Sequence, residues 1–430
     1  MVRGRAGPCD RLTPDGHNLP PVALTANASI VELFCELVAI PSPSGRELSV
    51  ARVLEGWLGS HGVVSQRDHA GEINRSDAGN LIATVPGAPD APTLLFVAHM
   101  DTVETGSVPV APSIGDDGVI RSVGDTILGA DNKAAVAAVM RLCATVAGAR
   151  SAGAPAHAPT VIAAFTCREE SGRMGASLLD PSLLTRVDCA FCVDGARPIG
   201  TLITRALGQS AYTFVIHGRT AHAAANPEEG VNAIRVASEI VAQLKLGRLD
   251  GGGSASVAAI VGGGVIARLP AALEVQAVAE AAVRAALEGT ATNSVPDLAL
   301  VRGEVRAFST SELETALSEV EATVVRVCEA HAAGHEWLRD PSRAVPPFPG
   351  GEGSRALALA RAAGARAEIP VSLEQRHATL EANHLATHTD VVAVASGGRE
   401  PHQLTESIPV AELGRLERLL EAIVAEAAES

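Results

Sequence analysis

Short apolar runs that end at an acid or a histidine limit this chain's possible folds more than any other feature. "TLLFVAH" ends in His99, "TVIAAFTC" leads into Glu169 and Glu170, and "CAFCVD" ends in Asp194. "DVVAVASGG" leads into a loop that carries His402. Runs of this length without alternation suit strands covered on both faces. Helical patterns separate them, as in "SIVELFCELVAI" and a stretch from about Asn132 to Ala147. Strand–helix alternation of this kind predicts an α/β fold with a parallel or mostly parallel sheet. In such sheets ligand-binding groups gather at the strand ends.

The texture changes near Leu207. "SAYTFVIHG" alternates like a strand with one exposed face, and "GVNAIRVASEIVAQLKLG" reads as an amphipathic helix. "SVAAIVGG" and "LALVRGEVRAF" add strands, and "SELETALSEVEATVVRVCEAH" adds a helix. Two helices against a small antiparallel sheet form a separate, inserted α+β unit of ferredoxin-like type. The Pro/Gly-rich "PSRAVPPFPGGEGS" is the expected linker back. The expected plan is a disordered extension over 1–27, a first domain over 28–206 and 346–430, and the insert over 207–345.

Lys plus Arg total 34 against 49 Asp plus Glu, a formal charge of −15. Such a surface repels phosphate backbones and anionic headgroups, so neither nucleic acid nor membrane is expected as a partner. No apolar run approaches the roughly 18 residues that span a bilayer. The first residues, rich in Pro, Gly and Asp, do not form a secretory signal. Seven cysteines without a framework spacing suit a reducing compartment, and a cytoplasmic location is expected. Cys189 and Cys192 form a C-x-x-C inside an apolar run, which favours buried thiols over a redox site.

Taken singly, each strand-end group has an ordinary explanation. Asp131 in "ILGADNKAAVAAV" resembles a helix N-cap, and His99 with Asp101 resembles a strand cap. Adjacent Glu169 and Glu170 repel each other unless a cation lies between them. Together, two histidines, three further carboxylates and a spare glutamate suit a two-zinc hydrolytic site with a general base.

These stretches resemble the zinc aminoacylase/peptidase superfamily, which includes peptidase T, acetylornithine deacetylase and glutamate carboxypeptidases, and most of all its peptidase T-like branch. The matching segments are "AHMDTV", "ILGADNKAAVAA", "EESGRMGA", "VDG", "HGRTAHAAANPEEGVNAI", "GTATNSVPDLALVRGEVR" and "PHQLTESI". The resemblance implies a zinc-exopeptidase-like catalytic domain with an inserted lid through which two copies dimerise. It implies that Asp131 bridges two Zn2+ ions, with His99 and Asp194 completing one site and Glu170 and His402 the other. Glu169 is then the general base, and Asp101 orients His99 by its second ring nitrogen. A cis peptide at Asp131–Asn132 is implied as well. His222 would reach a partner subunit's site to stabilise an oxyanion, and Asn293 and Arg306 would bind the substrate's carboxylate.

Two segments depart from that pattern. "VIARLPAALEVQAVAEAAVRAALEG", 265–289, inserts a predicted helix between lid strands. In "HATLEAN", 377–383, glycines are lost and Glu381 stands where relatives carry Asp. A carboxylate near the pocket would favour substrates with a free α-amine. The expected activity is therefore hydrolysis of small peptides, as a tripeptide-type aminopeptidase. The alternatives are an N-acyl amino acid deacylase and a non-catalytic metal-binding scaffold. Glu169 argues against the scaffold, which needs no spare base. "VGGGVIA" and "GQSAY" are incomplete as dinucleotide and nucleophile-elbow motifs.

Overall fold

The structure is a computed structural model. It describes residues 24–430 except 105–108, 154–156, 173, 264–291, 340–343 and 352. Most of the extension expected over 1–27, and the helix expected over 265–289, lie outside the described residues. Residues 24–27 are tied down, because Thr25 donates its N–H and hydroxyl to Glu36 and its carbonyl accepts from Trp57 Nε1.

The chain divides into two compact units. The first comprises residues 1–206, 348–376 and 380–430, and the second 207–347 with 377–379. An eight-stranded sheet forms the heart of the first. From edge to edge its strands are Val64–Arg67, Leu81–Val85, Thr160–Thr166, Thr93–His99, Cys189–Val193, Val391–Val394, Thr201–Ala206 and Ser372–Arg376. The four central strands are parallel, in register Phe96↔Ala163, Phe96↔Phe191 and Val392↔Phe191. Toward the Leu81–Val85 and Val64–Arg67 edge the pairing turns antiparallel, as does the step between Val391–Val394 and Thr201–Ala206. The sheet is thus mixed around a parallel core, and "NLIATV" is one of its antiparallel strands.

The central strands are apolar throughout because helices and loops cover both faces. One face packs on helices Ile30–Val38, Ala130–Ser151 and Val410–Glu429, whose buried Leu33, Val136, Leu416 and Leu420 join one core. The other face, with Leu95, Val97, Ala190 and Cys192, builds a second core. Ile30–Val38 starts where its sequence says, with a Ser29–Glu32 capping box. Ala130–Ser151 is the one described helix long and apolar enough to cross a membrane. It buries most of its surface in this core, which explains its composition. Cys189 and Cys192 are buried and unpaired, and burial pushes the Cys189 thiol up to about 12.

The second unit is an antiparallel sheet of five strands in the order Gly247–Arg248, Ser254–Gly262, Leu298–Ala307, Gly208–His217 and Gly334–Arg339. Burial alternates strictly along Leu298–Ala307, as its apolar–polar pattern requires. The inner face packs on helices Ala233–Gln243 and Thr310–Ala330 through Phe214, Val301, Val236, Leu317 and Val324. Tyr212, Phe214 and Trp337 stack across neighbouring strands.

Phe96 and Phe191 stack at 5.1 Å between ring centroids at the middle of the parallel core, both fully buried. Phe96→Ala is expected to lower the stability of the first unit by about 3–5 kcal/mol. Urea denaturation followed by far-UV circular dichroism checks this, and an unchanged midpoint would contradict it.

Candidate active site

Four parallel strands deliver their C-terminal ends to one edge, and the predicted strand-end groups meet there. His99 closes its strand, Glu169 and Glu170 follow Thr160–Thr166, and Asp194 follows Cys189–Val193. Asp131 enters from the start of Ala130–Ser151, where it and Asn132 depart from helical geometry. The Asp131–Asn132 peptide is cis, as the family resemblance implies. His402 sits at φ +66° in the loop after Val391–Val394.

Three donor sets form at this edge, each with donor atoms within 4.8 Å of one another: His99 with Asp131 and Asp194, Asp131 with Glu170 and His402, and His99 with Glu169 and Glu170. Asp131 faces two ways. Its Oδ1 lies 3.2 Å from His99 Nε2, and its Oδ2 lies 3.8 Å from His402 Nε2. His402 Nε2 also lies 2.8 Å from Glu170 Oε1. His99 is 1% exposed, whereas the side chain of His402 is half-exposed.

Charge crowding is severe. Burial, then the neighbouring charge of Asp131, pushes the Asp194 carboxyl above its usual range. Burial also opposes a charge on His99, but its contacts with Asp101 and Asp131 and the charge of Glu169 prevail, so the imidazole stays protonated well above its usual pKa. His402 is raised by its hydrogen bond to Glu170. The cluster thus recruits positive charge wherever it can. Two imidazoles with several carboxylates is a donor chemistry that fits divalent cations such as Zn2+.

Asp101 does more than orient His99. His99 Nδ1 bonds to the Asp101 backbone carbonyl at 2.9 Å, while the Asp101 carboxylate lies 3.5 Å away. That carboxylate, fully buried, accepts from Glu169 N at 2.9 Å, from Glu170 N at 3.1 Å and from the Ser44 hydroxyl. It therefore fixes the backbone that carries both glutamates.

Four residues not singled out from the sequence belong to the same network. Buried Glu47 accepts from Gly45 N and Arg168 N and from the Ser76 hydroxyl. Lys133 donates to Ser42 Oγ and to the Met100 carbonyl, and burial lowers its pKa to about 7. Arg376 adds favourable charge to Asp131 and Asp194. Glu406 accepts from the backbone of Gly129 and Asp131. Apart from Arg376, these are polar residues beside turns, most of whose partners lie far off in sequence, and no local pattern marks them.

Glu381 is fully buried at the start of the short helix Ala382–Leu385, and burial pushes its carboxyl up to about 7. The charges of His99, Asp194 and Asp101 act on it, so it lies beside the donor cluster.

In the second unit His222 and Asn293 lie together, where Ala223 N donates to the Asn293 carbonyl at 2.9 Å and His222 bridges Ser294. Both are exposed. Arg306 stands at the opposite end of the Leu298–Ala307 strand, paired with Gln209 while Leu298 pairs with His217. Eight residues of strand separate those ends, roughly 27 Å. The structure therefore does not bring Asn293 and Arg306 together within one chain. Glu304 holds Arg306 by Nε at 2.7 Å.

Similarity to known proteins covers the same ground. Residues 80–225 match Peptidase family M28, and residues 206–336 match the M20 peptidase dimerisation domain. The uncharacterized protein YqjE of Bacillus subtilis (strain 168) is 29% identical over 400 residues, 93% of this chain and 98% of its own. The crystal structure of aminopeptidase PepT from Bacillus cereus ATCC 10987 superposes with a TM-score of 0.79 at 29% identity, covering 93% of this chain and 98% of that one. A tripeptidase from Staphylococcus aureus gives 0.78 at 25% identity with the same coverage. The chain is a metal-dependent peptidase or amidohydrolase, and its sheet, its strand-end donors and its inserted unit are similar to those of the peptidase T-like branch of the aminoacylase/peptidase superfamily.

Proposed function

We propose that this enzyme is a dinuclear, zinc-dependent aminopeptidase of tripeptide type. The observation that carries the reading is the two-way facing of Asp131, whose carboxylate oxygens turn to His99 and His402 separately. Asp131 would bridge two cations, with His99 and Asp194 holding one and Glu170 and His402 the other. Bound there, two divalent ions polarise a carbonyl oxygen and make water acidic enough to ionise near neutral pH. Glu169 takes a proton from the attacking water as its oxygen bonds to the scissile carbonyl carbon. When the C–N bond breaks, Glu169 returns that proton to the leaving amine nitrogen. Asp101 keeps Glu169 and Glu170 in register through their backbone amides.

Similarity to the Bacillus cereus aminopeptidase and the Staphylococcus aureus tripeptidase favours a short unblocked peptide as substrate. Arg306, held by Nε, has its Nη groups to offer the terminal carboxylate, a charge-assisted bond of about 1.5–3 kcal/mol. The distance between Arg306 and the His222–Asn293 end supports a composite site. One substrate would be held by Arg306 of one copy and by His222 and Asn293 of another, in a homodimer formed through the second unit. His222 would then stabilise the developing oxyanion. A cytoplasmic location is part of the same reading, supported by Cys143, Cys167, Cys189, Cys192 and Cys328, which are all buried and outside any disulfide.

Glu169→Gln should retain metal at the wild-type stoichiometry and lower kcat on a tripeptide by about 10²–10⁴-fold. In the wild type, the N-acetyl form of that tripeptide should be the poorer substrate. Near-normal turnover of the variant would exclude the base, and preference for the N-acetyl form would turn the assignment to a deacylase.

Mixing Glu169→Gln subunits with His222→Ala subunits, each inactive alone, should restore part of the activity, since some heterodimers contain one intact composite site. No recovery after verified subunit exchange would rule out action across the dimer.

A further inference from the structure

The loop that carries His402 is closed at its base and anchored from within. Arg399 and Ser407 exchange backbone hydrogen bonds at 2.9 and 3.2 Å, and Glu406 N donates to the Gln403 carbonyl. His402 occupies the turn, half-exposed, while Glu406 points inward and is 2% exposed. Each carboxylate oxygen of Glu406 accepts one backbone amide. Oε2 takes Gly129 N at 2.6 Å and Oε1 takes Asp131 N at 2.9 Å. Gly129 is left-handed at φ +79°, and Asp131 lies outside helical geometry, so neither amide is satisfied by the helix that follows. Two donors from one segment thus meet the two acceptors of a residue more than 270 positions away, four residues from His402.

We infer that Glu406 is a positioning residue for the metal centre, fixing the backbones of Asp131 and His402 to one another through this two-amide clamp. Both of its carboxylate oxygens are engaged by backbone amides. Its effect is on where Asp131 Oδ2 and His402 Nε2 stand, the pair that would share one ion. His402 is the most exposed of the donors, and its ionic neighbours are Glu170 at 2.8 Å and Asp131 at 3.8 Å. The inference rests on the two-ion reading above.

Glutamine tests it cleanly. Glu406→Gln keeps the shape but replaces one acceptor oxygen by an NH2 group that faces an amide donor. Metal-free protein would be titrated with Zn2+ alone, in competition with a chromophoric chelator. Asp390→Asn serves as the comparison, because it alters a similar carboxylate–amide contact, to Ala356 N, at the opposite end of the Val391–Val394 strand. Glu406→Gln should weaken at least one of the two bound ions by about 10–100-fold. The thermal midpoint of its metal-free form should fall no further than that of Asp390→Asn. If Glu406→Gln accumulates unfolded, Glu406→Asp, which withdraws the charge by one methylene, carries the same expectation. Wild-type affinity for both ions would overturn the inference. So would a metal-free midpoint far below that of Asp390→Asn, which would mark Glu406 as a general stabiliser. A wild type that fails to bind two ions would overturn both this inference and the reading beneath it, and is recognised because the unaltered protein itself fails.

Discussion

Buried carboxylates holding backbone amides are the interaction on which this site depends. Asp101 accepts from Glu169 N and Glu170 N, Glu47 from Arg168 N, and Glu406 from Gly129 N and Asp131 N. Three consecutive amides of one loop and two of another are fixed by acids that are themselves almost wholly buried. A buried charge is costly unless its hydrogen bonds are satisfied, and here the loops supply those bonds. The loops in turn gain a fixed geometry. Donor side chains on strand ends alone would have rotamer freedom at the base of every contact. Anchoring the backbone beneath them removes much of that freedom before any ion arrives.

Asp131, Asp194, Glu169 and Glu170 crowd two imidazoles, and the neighbouring carboxylates raise the pKa of His99 against the opposing effect of burial. Crowded like charges in a dry setting favour whatever cation can reach them. The second unit contributes a different logic. Its long antiparallel strand sets Arg306 and the His222–Asn293 pair at opposite ends. A rigid strand of that length keeps the two groups apart within one copy.

Much of this was legible in the sequence because apolar strands leave little choice about where polar groups appear. His99, Asp194, Glu169 and Glu170 each follow an apolar run, so the parallel sheet had to deliver them to one edge. Asp131 and His402 sit at a helix start and in a strand-following loop, where the same logic applies. The antiparallel edge strands were less legible, since "NLIATV" has the same apolar texture whichever way its neighbour runs. Glu47, Lys133 and Glu406 were not legible at all. Their roles arise mainly from partners such as Ser76, Ser42 and Gly129, 29 to 277 residues distant, which no local period encodes. The burial of Glu381 was likewise not legible, since it comes from packing around the Ala382–Leu385 helix.

Whether Asp131 joins two cations is read most directly from diffraction by zinc-soaked crystals, recorded on both sides of the zinc absorption edge. Two anomalous peaks are expected, one beside Asp131 Oδ1 among His99 and Asp194, the other beside Oδ2 among Glu170 and His402. A single peak, or none in contact with Asp131, would contradict the two-ion site.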